Sequence, residues 1–203
     1  YISILFFFIL TFAQAPEAFA KGNTFTVVID PGHGGGDIGT PHRKCKQDEK
    51  TIALNVALRL GRLIESNYSD VKVVYTRKTD KYPSLPDRTQ IAKKAKGDLF
   101  ISIHINAVDP KNNRNWQSVS GFSIHTMGQS RTGSDLNSLN MELCKRENSV
   151  ILLENDHDTK YQGFNPNDPS SYIIFSLQQN SNLEQSLAFA DESARALAKG
   201  PVT

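Results

Sequence analysis

The chain has 203 residues, of which 38% are hydrophobic and 22% charged, and this is enough apolar material for one domain with a buried core. The formal net charge of +2 argues against nucleic acid as a partner, and no basic run is interleaved with aromatic residues. The two cysteines, Cys45 and Cys144, are too few for a disulfide framework, and whether they pair stays open.

The first 20 residues have the pattern of a signal peptide that is incomplete at its start. An apolar run from Ile2 to Phe12 is too short to span a bilayer as a helix. Small residues at Ala18 and Ala20, just before Lys21, are typical of a cleavage site. We therefore predict a signal peptide over residues 1–20 and an exported protein, with a core helix or a retained anchor as the alternatives.

From residue 25 onwards strand and helix patterns alternate, which predicts an α/β fold with a mostly parallel or mixed sheet and helices on both faces. Strands are predicted at residues 25–29, 71–76, 99–105 and 121–126, and the third is apolar enough for the centre of a covered sheet. Helices are predicted at residues 48–66, 86–96, 135–146 and 171–198. Residues 21–203 are expected to form one domain, with a polar, turn-rich insertion at about residues 148–169.

The first predicted helix has a clear start and a clear apolar stripe. Asp48 is a favourable residue for its N-cap. The side chains that are expected on its buried face recur at helical spacing, and they are Ile52, Val56, Leu60, Leu63 and Ile64.

Two histidines lie where predicted strands end. His33 follows the first strand in a loop rich in glycine, and His104 ends the third strand. Because the carboxyl ends of strands line the ligand crevice of open α/β sheets, both side chains are expected to face one site. Each histidine also has an ordinary interpretation, as a solvated loop residue for His33 and as a hydrogen-bonded structural residue for His104.

Glu49 in the first turn of the first predicted helix completes a candidate metal site. Its ordinary role would be to complement the helix dipole. Two histidines and a carboxylate are a common zinc set, and zinc with an open position is typical of hydrolases. Asn106, two residues after His104, is a candidate to orient a ligand or the substrate. The other histidines are assigned to surface or loop positions, namely His42, His125 and His157.

Five segments, in this order, resemble the zinc-dependent N-acetylmuramoyl-L-alanine amidases of bacterial cell-wall remodelling. They are VVIDPGHGG, Glu49-Lys50 at a helix start, VYTRKTD, LPDR and DLFISIHINA. The resemblance implies an α/β domain in which His33, Glu49 and His104 bind Zn²⁺. It also implies supporting or substrate-contacting roles for Asn106 and for Arg88 of the LPDR segment.

The same resemblance implies what the protein does and where. The expected reaction is hydrolysis of the amide bond between N-acetylmuramic acid and L-alanine of peptidoglycan, in wall remodelling and daughter-cell separation. The expected location is the periplasm or cell envelope. We expect a monomer that acts on peptidoglycan, with an activator protein as a further partner.

Two features depart from the family pattern. The loop before Glu49 has fewer glycines, which makes Asp48 the alternative carboxylate ligand. The family's general-base glutamate lies in an apolar strand of V-E-x-G-F type, and this sequence has no such segment. We therefore expect the base beyond Thr203, together with a last strand and helix. A chain without that base is expected to bind zinc and to be nearly inactive.

Three alternatives stay open at this point. The same ligands would suit a zinc peptidase that acts on wall peptides. Without the base, the chain would suit a wall-binding module that retains zinc but does not catalyse. Residues 148–169 are either an ordinary surface loop or a regulatory insertion, because in relatives an insertion here covers the active site until a partner displaces it. Glu154 is then the candidate for self-inhibition, at the open position of the zinc.

Overall fold

The computed structural model describes residues 24–41, 46–106, 120–126, 145–154, 156–161, 165 and 183–200. The chain divides into two compact units, with the division between Phe122 and Ser123. Within the described ranges, no helix combines the length and the hydropathy that crossing a membrane requires.

The first unit is built on a three-stranded parallel sheet. β1 (Phe25–Pro31) lies between β2 (Val71–Tyr75) and β3 (Leu99–Ile103). α1 (Glu49–Asn67) connects β1 to β2, and α2 (Leu85–Ala95) connects β2 to β3. The α/β fold that the alternating pattern predicts is thereby confirmed.

Both helices begin close to where the sequence places their first residues. Asp48 is the N-cap of α1, as predicted, although its side chain does not make the capping hydrogen bond. Ser84 caps α2, where its side chain and that of Asp87 form a capping box. Pro86 then lies in the first turn, where a missing N–H costs nothing.

The two faces of the sheet are covered by different helices. The apolar core lies on the α1 side and includes Val27, Ile29, Ala57, Ile64 and Val73. Alternate residues of a strand point to opposite faces, so Val28 and Asp30 point to the other side. There Gly97, just after α2, leaves room for the Val28 side chain, and Arg88 of α2 reaches Asp30. Helices therefore lie on both faces of the sheet, as the sequence predicts.

The buried stripe of α1 differs from the predicted one. Ala53, Ala57 and Gly61 are buried, whereas Val56 is 46% exposed, so the prediction is wrong at Val56. A Cβ at Gly61 would overlap the Tyr75 hydroxyl, so the glycine lets the helix come close to β2. Small side chains allow this close approach, and a stripe chosen by hydrophobicity alone does not include them.

Two of the strand predictions are corrected by the structure. β3 ends at Ile103 and lies at the edge of the described sheet, where Phe100 is 45% exposed. Its apolar sequence predicts the centre of the sheet; among the described strands the central one is β1, which pairs on both sides, and the predicted position of β3 stays a prediction. Residues 121–126 form no strand: Gly121 has a φ of 125°, and residues 121–125 are all exposed, so neither face of the segment is buried.

Most of the described residues of the second unit are helical. A 3₁₀ helix (Ser149–Leu153) buries Ile151, and a single turn, α3 (His157–Lys160), follows. Both lie in the predicted insertion. α4 (Leu183–Lys199) confirms the carboxyl-terminal part of the helix predicted at residues 171–198. The predicted signal peptide, Cys45, Cys144, residues 171–182 and most of the helix predicted at 135–146 lie outside the described residues.

Candidate metal centre

The structure brings His33, Glu49 and His104 together. Nε2 of His33 lies 3.1 Å from Oε1 of Glu49 and 3.2 Å from Nδ1 of His104. The Nδ1 atom of His104 lies 3.3 Å from the same Glu49 oxygen. Zinc bonds of about 2.0–2.1 Å at tetrahedral angles place neighbouring ligand atoms about 3.3 Å apart. The three donor atoms therefore have the chemistry and the mutual spacing that a zinc ion needs.

The register of the sheet explains why the two histidines meet. Pro31 of β1 pairs with Ile103 of β3, and the Gly32 N–H donates to the Ile103 carbonyl at 2.9 Å. His33 comes two residues after Pro31, and His104 comes one residue after Ile103. Because the strands are parallel, both side chains leave the same edge of the sheet.

Glu49 is the carboxylate of this cluster, rather than the alternative Asp48. Its side chain is buried, and its two oxygens accept hydrogen bonds from the backbone N–H groups of Ile105 at 2.8 Å and Thr40 at 2.9 Å. Burial disfavours the charged form, but the contacts with both histidine rings and the hydrogen bonds from both amides outweigh it and hold the pKa of Glu49 well below its usual value. The carboxylate is therefore ionised at neutral pH and positioned to bind a cation.

His33 lies in an unusual backbone conformation, with a φ of 59°. Its Nδ1 lies 2.8 Å from Oδ2 of Asp37. Burial alone would raise the pKa of Asp37. The hydrogen bond and the charge of His33 have the larger combined effect, so the pKa of Asp37 is lowered. Sequence reasoning missed Asp37, and the signal that could have found it is a carboxylate four residues after a histidine in a glycine-rich turn.

Arg88 supports the loop that carries His33. The guanidinium is buried and donates to Oδ1 of Asp30 at 2.7 Å. It also donates to the carbonyls of Pro31 and His33, both at 2.9 Å. The sequence analysis left a supporting and a substrate-contacting role open for Arg88, and these contacts favour the supporting one.

Arg77, which sequence reasoning missed, holds the same loop from β2. It is buried and donates to the carbonyls of Pro31 at 3.0 Å and Gly32 at 2.7 Å. It also donates to the carbonyl of Lys50 at 2.7 Å, which links the loop to the first turn of α1. An arginine directly after an apolar strand is the sequence signal for such a role.

Asp30 joins all three strands beneath the site. Besides Arg88, its carboxylate accepts hydrogen bonds from the hydroxyls of Thr76, just after β2, and of Ser102 in β3, the latter at 2.8 Å. Its side chain is buried, so these donors replace the water that the charge loses.

Lys50 and Asp80 fasten the tip of the glycine-rich loop. Nζ of Lys50 donates to the Gly35 carbonyl at 2.8 Å and to Oδ2 of Asp80 at 2.7 Å. The Gly35 N–H donates to the other Asp80 oxygen at 2.8 Å. The hydrogen bonds from Lys50 and Gly35 lower the pKa of Asp80.

The remaining candidates lie in varied places. Asn106 is exposed, beyond the end of β3, and His125 is exposed beside Ser123. His42 and the side chain of His157 lie outside the described residues. In the second unit, Glu154 accepts hydrogen bonds from Nζ of Lys160 at 2.6 Å and from the hydroxyl of Tyr161 at 2.8 Å. The roles of Asn106 and Glu154 stay predictions.

The comparison with protein families covers most of the chain. The profile of a family described as N-acetylmuramoyl-L-alanine amidase matches residues 27–200. The chain belongs to this family. The resemblance stated from the five segments is thereby confirmed.

Similar proteins that are named N-acetylmuramoyl-L-alanine amidase come from several bacteria. The sporulation-specific N-acetylmuramoyl-L-alanine amidase of Bacillus subtilis strain 168 is 41% identical over 81 residues, which are 40% of this chain and 31% of that protein. N-acetylmuramoyl-L-alanine amidase AmiC of Escherichia coli O6:H1 is 35% identical over 119 residues, which are 59% of this chain and 27% of that protein. The chain matches less than a third of the length of these curated relatives.

Among solved structures, the catalytic domain of CwlV, an N-acetylmuramoyl-L-alanine amidase from Bacillus (Paenibacillus) polymyxa var. colistinus, is 28% identical. The match covers 60% of this chain and 63% of that chain, with a TM-score of 0.42.

Proposed function

We propose that this chain carries the catalytic domain of a zinc-dependent N-acetylmuramoyl-L-alanine amidase. The proposed reaction is hydrolysis of the amide bond between the lactyl group of N-acetylmuramic acid and L-alanine of the peptidoglycan stem peptide. The observation that carries the proposal is the cluster of His33, Glu49 and His104, whose donor atoms lie 3.1–3.3 Å apart in a chain of this family.

The donor set suits zinc better than it suits magnesium or calcium. Two imidazole nitrogens and one carboxylate oxygen suit Zn²⁺, whereas Mg²⁺ and Ca²⁺ prefer oxygen ligands throughout. Three protein ligands are also the number found in catalytic zinc sites, which keep one position open for water or substrate.

The ligand residues of such a zinc site would have different roles. Bound zinc would lower the pKa of a water to about 7 and polarise the substrate carbonyl. Glu49 supplies a negative charge that the amides of Thr40 and Ile105 keep ionised. His33 and His104 present their ring nitrogens from the ends of rigid strands. Because all three side chains act as ligands, the proton acceptor is a fourth group, and the glutamate base of the family pattern stays a prediction.

The proposed substrate sets the proposed location and partners. Peptidoglycan lies outside the cytoplasmic membrane, so the enzyme would act in the periplasm or cell envelope after export. We propose a role in wall remodelling and daughter-cell separation. The enzyme would be a monomer, and an activator protein would control its activity.

The test uses purified sacculi and the gene product at its natural full length, loaded with zinc. Mass spectrometry of the released peptides identifies the bond that is cut, because an amidase exposes the amino group of L-alanine and a peptidase exposes another residue. Glu49→Gln and His104→Ala are the variants, and Asp70→Ala, at an exposed position before β2, is the control.

We expect stem peptides that begin with L-alanine, a loss in both ligand variants larger than the about 10–100-fold that removing a ligand's supporting group costs, and an unchanged rate in the control. Peptides with other amino termini would support a zinc peptidase instead. Zinc binding without any release would support a wall-binding module.

A further inference from the structure

Asp37 lies in the short turn after His33, and its two carboxylate oxygens have different partners. Oδ2 lies 2.8 Å from Nδ1 of His33, and Oδ1 accepts a hydrogen bond from the Gly39 N–H at 3.1 Å. The backbones of Gly34 and Asp37 also bond to each other in both directions, at 2.9 and 3.0 Å. The turn therefore holds the carboxylate in one place, and the side chain is only 15% exposed.

The contact between Asp37 and His33 decides which ring nitrogen can bind a metal. An ionised carboxylate only accepts hydrogen bonds, so it pairs with the Nδ1–H form of the neutral ring. This leaves the lone pair on Nε2. That atom is the one that lies 3.1 Å from Oε1 of Glu49 and 3.2 Å from Nδ1 of His104. The hydrogen bond thus selects the tautomer whose free lone pair points at the cluster.

The same turn fixes the direction of the His33 ring. A Cβ at Gly39 would lie 2.5 Å from Cδ2 of His33, so the glycine backbone lies directly against the ring. Asp37 holds that backbone through the Gly39 N–H. On the other side of the residue, Arg88 binds the His33 carbonyl and supports the backbone conformation with a φ of 59°. Asp37 therefore acts on the ring twice, through its nitrogen and through the glycine that packs on it.

We propose that Asp37 is a positioning residue of the metal centre, which sets both the tautomer and the direction of His33. The proposal rests on the proposed role of His33 as a zinc ligand. It needs no contact between Asp37 and the substrate. Carboxylates that orient ligand histidines in this way typically change metal affinity by about 10–100-fold when they are removed.

The experiment measures the Kd for Zn²⁺ by competition with a chromophoric chelator, on the natural protein and four variants. Asp37→Ala removes both acceptor oxygens, whereas Asp37→Asn keeps one oxygen that can accept the Nδ1–H. His33→Ala removes the ligand itself, and Asp70→Ala changes an exposed aspartate before β2. We expect a Kd about 10–100-fold higher for Asp37→Ala, a smaller rise for Asp37→Asn, the largest rise for His33→Ala and no change for Asp70→Ala.

A second measurement needs no variant. Nitrogen NMR of the natural protein with zinc bound reports which ring nitrogen of His33 carries the proton, and we expect Nδ1–H, with Nε2 on the metal. An Nε2–H form, or an Asp37→Ala protein that folds and binds zinc as well as Asp70→Ala does, would overturn the role of Asp37 while leaving the metal site intact. Unchanged zinc binding in His33→Ala would instead overturn the proposed metal site and the role of Asp37 with it.

Discussion

The two faces of β1 are built from opposite chemistry. On the face that α1 covers, Val27 and Ile29 pack against Ala57 in an apolar core. On the other face, Asp30 is bonded to Arg88 of α2 in a buried charged network. Apolar burial is strong but has no preferred direction, whereas hydrogen bonds to charged groups fix both distance and angle. One face therefore stabilises the sheet, and the other fixes the loop that carries His33.

The buried charges of this face are better explained by the positions of the groups they hold than by a gain in stability. Removing the charges of Asp30 and Arg88 from water is expensive, and a well-packed apolar pair in the same place is often as stable or more so. The apolar pair could not hold the carbonyls of Pro31 and His33, which Arg88 binds at 2.9 Å. The network is thus expected to matter more for the metal site than for the fold.

The largest effect is expected from Arg88→Met, which leaves Asp30 buried without its charged partner. We expect the free energy of unfolding of the metal-free protein to fall by about 3–5 kcal/mol, measured by urea denaturation. Zinc affinity of the folded fraction should fall as well, because the His33 carbonyl loses a donor.

The double variant Asp30→Asn/Arg88→Met sharpens this test. Neutralising Asp30 removes the unpaired charge, so the double variant should be more stable than Arg88→Met alone. It should nevertheless retain the weak zinc binding. If zinc affinity recovered together with stability, the charged face would not be needed to position the His33 loop, and the separate roles of the two faces would be contradicted.

A smaller effect is expected from the apolar face. Ile29 is fully buried, and Ile29→Val removes one methyl group and leaves a small cavity. We expect a loss of about 0.5–1.5 kcal/mol in the free energy of unfolding. The Kd for Zn²⁺ should not change, since the core makes no hydrogen bond to the loop. A zinc Kd that rises as far as in Arg88→Met would show that the two faces do not act separately.

The smallest effect concerns the exposed ion pair of Lys50 and Asp80 at the tip of the glycine-rich loop. Hydrogen bonds from Lys50 and Gly35 lower the pKa of Asp80 from its ordinary value of 3.8. A carboxylate whose folded pKa lies below its unfolded pKa adds stability above the unfolded value, and this stability is lost as the pH falls through the folded value. Because Asp80 is 57% exposed, solvent screens the ion pair and the contribution is small, about 0–1 kcal/mol at neutral pH.

Urea denaturation of the metal-free protein and of Asp80→Asn over a range of pH measures this term. We expect the wild type to be slightly more stable at neutral pH and the difference to shrink below about pH 4. A difference that grows as the pH falls would have the wrong sign for a lowered pKa.

Much of the fold and three candidate metal ligands follow from local sequence pattern. Apolar runs that alternate with helical spacing predict the α/β order, because each element must bury one face. Strand-end histidines at positions 33 and 104 predict a shared site, because parallel strands place their carboxyl ends at one edge. The start of α1 brings Glu49 to that edge, as its position in the first turn allows.

The tertiary structure decided what no local pattern contains. Among the described strands, β1 is central and β3 lies at an edge, although β3 has the more continuous apolar run. Close packing buried Ala53 rather than Val56, because the distance between helix and sheet depends on small residues such as Gly61.

The contacts that support the candidate metal centre were decided in the same way. Arg88 and Asp30 are 58 positions apart along the chain, and their contact requires both the register of the sheet and the position of α2 on its second face. Asp37 is local in sequence, yet its hydrogen bond to His33 depends on a backbone with a φ of 59° that Arg88 helps to hold. A residue type can indicate that a side chain is able to bind a metal or a carbonyl. Which atom it meets depends on how separate elements pack, and hydrogen bonds weaken sharply with errors in distance and angle.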